Sequence, residues 1–197
     1  MNASVRRVDE VGLARAQEYA LLATLLTRSP DAYLLGRISA LHGDSSPIGM
    51  AHIVLADAAR RTNEQAASRE FFDLFAGLGK RALLPYASHY LSETLYGRPL
   101  ARLRATLEGL GLEKAPERRE PEDHAGFLCE VMAGLAGGSI PASADAERAF
   151  FDQHVSPWMR RFFADLARAK PADFYAAVGA LGRTFIDIEA EAFALPG

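Results

Sequence analysis

Five consecutive residues, Glu120-Pro121-Glu122-Asp123-His124, place three carboxylates and an imidazole side by side. Carboxylates in such a cluster can hold guanidinium groups in bidentate pairs. An imidazole next to a carboxylate can make binding sensitive to pH near neutrality. Helix-start chemistry accounts for part of the same cluster. Pro121 suits a first helical position, Glu120 would stand at the cap, and Glu122 and Asp123 would face the positive end of the helix dipole. That account leaves His124 unexplained, because a cation is disfavoured at that end. A second cluster, Leu84-Pro85-Tyr86-Ala87-Ser88-His89-Tyr90 with Tyr96-Gly97 after it, carries three tyrosines. Tyrosine offers an apolar face and a polar tip, so these rings suit either a core or an amphipathic groove. His89 and Glu93 are four residues apart and on a helix could face one metal ion. With His124 and nearby carboxylates they give an alternative reading as a small helical metalloenzyme, although two ligands at that spacing are too few alone. Cys129 sits among Phe127, Leu128 and Val131, which reads as a buried structural thiol. Trp158, the single tryptophan, reads as core.

The common catalytic signatures are missing from the sequence. It has no GxGxxG, no phosphate-binding loop ending in Lys-Ser/Thr, no HExxH and no GxSxG. A di-iron bundle needs paired Glu-x-x-His motifs, and none occurs. No cofactor and no metal are therefore expected, and a non-specific helical assembly module is a further alternative.

The elements that must position these residues are helical by composition. The chain has 197 residues, with 36 Ala and 25 Leu against 7 Val and 6 Ile. Ala and Leu favour helices, whereas β-branched residues favour strands. The length allows a sizeable core without covalent staples. A formal charge of −3 gives no basic footprint for nucleic acid. One cysteine excludes an intrachain disulfide and a Cys-based zinc site, and suits a reducing cytoplasm. No apolar run approaches membrane-spanning length. Arg6-Arg7 followed by Tyr19-Ala20-Leu21-Leu22 has the outline of a twin-arginine export signal, but Asp9, Glu10, Arg15 and Glu18 interrupt it. The stretch reads as an amphipathic first helix.

Further helices are expected from Pro30 through Leu41, over Ile48–Arg60 with Met50, Ile53 and Val54 apolar, and over Glu64–Leu78 with Gly77 and Gly79 ending it. Tyr86–Tyr96 and Leu100–Leu110 follow, then Pro121–Leu135. Ala146–Ala169 should be kinked or split by Pro157, and Pro171 should open the last helix. About eight or nine helices with short loops predict an all-α chain, residues 1–197, folded as a single compact domain. Hinges for a domain-swapped homodimer are expected in 111–120 or 137–141.

Taken in order, these motifs resemble the TorD/DmsD/NarJ group of redox-enzyme maturation chaperones. The opening Tyr19–Leu26 helix with Pro30 is similar to the family's first helix. Phe71-Phe72-Asp73-Leu74-Phe75 followed by Pro85–Tyr90 is similar to its central signature, and Tyr96-Gly97 follows at the expected distance. Glu120–His124 resembles its acidic Pro-x-Asp-His motif, and His154, Pro157-Trp158 and Phe174-Tyr175 its C-terminal pattern. The resemblance implies an all-helical cytoplasmic chaperone, not an enzyme. It would bind the twin-arginine signal peptide, and sometimes the body, of a molybdopterin-containing oxidoreductase before export. It further implies a signal-binding region at Asp123 and His124, with Gly97 and the Pro85–Tyr90 turn nearby. A receptor for a basic, apolar leader needs an apolar groove bordered by acids. Asp123, Glu122 and Glu120 are expected to meet its arginines, and Tyr86, Tyr90, Phe71 and Phe75 its apolar part, with Pro85 and Ser88 also in the binding region.

Overall fold

The computed structural model describes residues 8–76, 83–92, 95–113, 120–170 and 172–195. Ten α-helices occur among them: α1 Glu10–Thr27, α2 Ala32–Ser39, α3 Pro47–Arg61, α4 Glu64–Phe71, α5 Ala87–Ser92, α6 Arg98–Gly109, α7 Ala125–Ala136, α8 Ala144–Phe150, α9 Met159–Arg168 and α10 Phe174–Ala194. One π-helical turn, Phe72–Ala76, follows α4, and another, Phe151–Val155, follows α8. No strand is present among the described residues. The one β feature is an isolated antiparallel bridge between Tyr86 and His124.

The helices gather into two compact units. The first takes residues 1–27 and 85–158, and the second takes 28–84 and 159–197. In the first unit α1 packs along α7. Tyr19, Leu22, Leu25 and Leu26 of α1 are buried, as are Leu128, Cys129, Val131, Met132 and Leu135 of α7. Gly126 allows a close approach here, since a Cβ at that position would lie 3.3 Å from the Ala23 carbonyl oxygen. Burial pushes the Cys129 thiol far above its ordinary pKa, which keeps it neutral. Arg15 of α1 pairs with the buried Glu147 of α8 at 2.7 Å.

In the second unit α10 packs against α9 and α3. Phe162, Phe163 and Leu166 of α9 and Val178, Leu181 and Phe185 of α10 are all buried. Gly182 gives the Phe163 ring its place; a Cβ there would stand 2.3 Å from the ring. The start of α10 is held by a neighbouring helix. Glu70 of α4 accepts hydrogen bonds from the backbone N–H groups of Asp173 at 3.2 Å, Phe174 at 3.4 Å and Tyr175 at 3.1 Å. These are orphan donors of a helix N-terminus, satisfied here by a carboxylate from outside the helix.

Several expectations are corrected. The cap of α2 is Asp31, not a start at Pro30, because its carboxylate can accept the Leu34 N–H at 2.7 Å. Met50 and Val54 of α3 face solvent, and the buried face is Ala51, Leu55, Ala56, Ala58 and Ala59. Small alanines allow the neighbouring helices to approach, so the stripe of larger residues misidentified the inner face. The Glu64–Leu78 helix gives way to the π turn at Phe72; Gly77, Leu78 and Gly79 lie outside the described residues, as does Pro171. The helix expected at Pro121 starts at Ala125 instead.

Candidate peptide-binding site

The site lies in the first unit, where two chain segments meet at the starts of α5 and α7. Ala87 N–H donates to the Asp123 carbonyl at 3.0 Å, and Ala125 N–H to the Pro85 carbonyl at 2.7 Å. This short pairing fixes Pro85-Tyr86-Ala87 against Asp123-His124-Ala125. Pro121–His124 is a turn, closed by the His124 N–H on the Pro121 carbonyl at 3.2 Å. His124 is then the cap of α7: its Nδ1 accepts the Gly126 N–H at 3.1 Å. An accepting Nδ1 carries no proton, so the ring acts as a polar cap and not as a cation. This resolves why a histidine stands at the positive end of a helix.

Each acidic residue of the motif has a different task. Glu122 is 6% exposed and takes the Arg104 guanidinium in a bidentate pair, with Nε on Oε1 at 3.0 Å and Nη2 on Oε2 at 2.9 Å. Glu120 accepts the Tyr86 hydroxyl. Burial, followed by that bonded carboxylate, pushes the Tyr86 phenol well above its ordinary pKa, so it remains a donor. The Tyr86 ring stands edge-on to His124 with centroids 5.3 Å apart. A leader arginine meeting Glu120 or Glu122 would thus compete with Tyr86 or Arg104.

Asp123 is 1% exposed, and its Oδ2 accepts the Ser88 N–H at 2.8 Å. Its Oδ1 has no hydrogen-bond partner. Ser88 extends the link, because its Oγ accepts the Tyr96 N–H at 3.2 Å. Tyr96 has φ +67° and Gly97 φ +88°, two successive residues in the left-handed region. Glycine takes that conformation freely; tyrosine does so at a cost in strain. Tyr96 is 58% exposed, and Leu91 and Leu95 beside it are also exposed.

Asp123 lines a cavity of about 420 Å³. Its apolar walls are Ala87, Leu91, Pro99, Leu103, Leu128 and Pro157; Ser92, Arg98, Arg102, Gln153 and His154 complete it. His154 is 7% exposed, with Nε2 2.8 Å from the Thr106 hydroxyl. Burial lowers its pKa. The His154 carbonyl accepts the Trp158 indole N–H at 2.8 Å, and Tyr90 packs on Trp158 with centroids 5.5 Å apart.

Pro85, Tyr86, Ser88, Glu120, Glu122, Asp123 and His124 are thus brought together; Tyr90 lies further along α5, and Gly97 caps the start of α6. Phe75 belongs to the second unit, where it packs on Phe71 and Tyr175. His89 packs edge-on against Tyr90, and Glu93 lies outside the described residues. No cluster of three or more His, Cys, Asp or Glu side chains suited to a metal occurs among the described residues. Arg98, Arg102, Arg104 and Gln153 were not singled out from the sequence. The i, i+4 spacing of Arg98 and Arg102 was the available signal, and it is common on solvated helices.

Residues 42–164 match the family described as nitrate reductase delta subunit. The chain is similar to proteins named chaperone protein TorD. One from Vibrio cholerae is 29% identical, over 64% of this chain and 64% of the relative. Another, from Psychrobacter, is 28% identical over 77% of this chain and 78% of the relative. The chain spans 62 to 64% of the length of the Vibrio cholerae relatives it matches. A solved structure of an Archaeoglobus fulgidus protein assigned to redox enzyme maturation has the same fold, with a TM-score of 0.57 and 17% identity. That match covers 94% of this chain and 99% of the other.

Proposed function

The chain belongs to the nitrate reductase delta subunit family, the TorD-, DmsD- and NarJ-type group that its motifs resemble, and from that premise we propose that it is a maturation chaperone. Its client is the apo form of a molybdopterin-containing oxidoreductase, and it binds the client's twin-arginine leader. It acts in the cytoplasm, as a binding protein and not a catalyst, and holds the client from export until the cofactor is inserted. No helix among the described residues is long and apolar enough to cross a membrane, which suits that role.

The observation that carries this reading is the open oxygen of Asp123. A buried carboxylate oxygen without a donor is costly. Here it belongs to a residue lining an apolar-walled cavity, beside exposed Leu91, Leu95 and Tyr96. A ligand with apolar side chains and a hydrogen-bond donor would satisfy both features. Ser88 and the pairing of Pro85-Tyr86-Ala87 hold Asp123 in position, and we assign Tyr86, Tyr90, Gly97, Glu120, Glu122 and His124 to the surrounding binding region.

Calorimetry with a synthetic twin-arginine leader tests the proposal. The unaltered chain should bind, and Asp123→Asn should weaken binding by about tenfold, the loss of one hydrogen bond to a charged group. Asp123→Ala should do at least as much. Equal affinity in all three proteins, with helicity unchanged, removes Asp123 from the site. Recovery of an oxidoreductase precursor with the chaperone from its host would identify the client.

A further inference from the structure

Two guanidinium groups line the same cavity without partners among the described residues. Arg98 and Arg102 stand one turn apart on α6, both exposed, and neither guanidinium has a hydrogen bond or ion pair with the described residues. Arg104, two positions further along, is by contrast paired with Glu122. Arg98 occupies the first position of α6, where the helix dipole already disfavours a cation. Gly97 contributes no side-chain cap to offset it. The lining therefore carries two guanidiniums against the single carboxylate of Asp123.

We propose that Arg98 and Arg102 act as a charge filter on the cavity. The segment that enters is the uncharged apolar stretch of a leader, which offers Asp123 Oδ1 a hydroxyl or backbone N–H. The leader's own arginines stay outside. This inference rests on the leader-binding reading and specifies which part of the leader the cavity takes. A guanidinium moving towards Asp123 would pass two like charges in a partly apolar cleft, where screening is weaker than in open water. A serine hydroxyl or an amide N–H satisfies the open oxygen without that opposition. Specificity of this kind comes from repelling the wrong group as much as from holding the right one.

The test uses the full chain and four fluorescent synthetic peptides in anisotropy titrations. The parent peptide has an arginine pair followed by a leucine- and alanine-rich stretch with one serine. The second replaces the pair with two glutamines, the third replaces the serine with alanine, and the fourth replaces the serine with lysine. Asp123→Asn should weaken the parent and the glutamine peptide by the same factor, about tenfold. Its effect should shrink on the alanine peptide. The lysine peptide should bind about tenfold or more weakly to the unaltered chain and recover on Arg98→Gln/Arg102→Gln. An Asp123→Asn effect that vanishes with the glutamine peptide means Asp123 holds the arginines, and overturns the filter while the leader reading stands. Equal lysine-peptide affinity in the unaltered chain and Arg98→Gln/Arg102→Gln overturns it too. Both arginines are on the surface, so this second arm remains decisive if Asp123→Asn folds poorly. If no peptide binds the unaltered chain, the leader reading fails and the filter with it.

Discussion

His124 shows how one ring nitrogen can decide a helix start. Its Nδ1 accepts from Gly126, so His124→Ala leaves an α7 N–H without its partner and should cost about 1 kcal/mol. His124→Asn supplies another acceptor and should recover most of that loss in urea denaturation. If asparagine is as damaging as alanine, the capping role is wrong. His154 sets a pH dependence. Its folded pKa lies below the ordinary value of 6.5, because burial disfavours the charged ring. Between those two values the unfolded chain binds a proton that the folded chain does not, so unfolding gains there. His154's contribution is complete above about pH 6.5, falls as pH drops below it, and levels off below the folded pKa. Urea midpoints at pH 7.5 and pH 5.5 should therefore differ less in His154→Gln than in the unaltered chain. At this scale the residue types were legible and their tasks were not. Asp123 and His124 stood out in the sequence. Glu122's engagement with Arg104 depends on side chains eighteen positions apart, which no local pattern connects.

The helices themselves were legible where apolar residues are large and regularly spaced, as in α1 and α7. α3 defeats that rule because its inner face is largely alanine, and alanine's burial leaves little trace in a hydrophobic pattern. The π turns after α4 and α8 were equally hidden, since one extra residue in a turn does not change which residue types are present. The start of α10 is a different case. Asp173 occupies the cap position but makes no side-chain cap bond; Glu70 does the capping from α4. Glu70→Gln keeps one acceptor but loses the charge facing the dipole, and Glu70→Ala loses both. The expected costs are about 1 kcal/mol for glutamine and up to about 2 kcal/mol for alanine. Thermal melts followed by circular dichroism would rank them, and an unaffected alanine variant would deny the cap its importance.

At the scale of the whole molecule, the chain passes from one unit to the other after Thr27, after Leu84 and after Trp158. A cut after Leu84 therefore leaves neither unit with all its helices. α1 loses α7, and α3 loses α10. Pieces 1–84 and 85–197, made separately, should be poorly helical, and mixing them should restore helicity. Two pieces that each fold independently would contradict the division into these units. The all-helical class was legible from composition alone, but this interleaving was not, because it is a property of the route of the chain. It also has a consequence for biosynthesis. α1 leaves the ribosome well before its packing partner, which begins only at Ala125. At bacterial or eukaryotic rates of synthesis the apolar face of α1 waits roughly 5 to 20 seconds for α7. The interleaved route thus leaves an apolar helix uncovered during synthesis, so the nascent chain should be prone to aggregate, or to recruit a general chaperone, until α7 emerges.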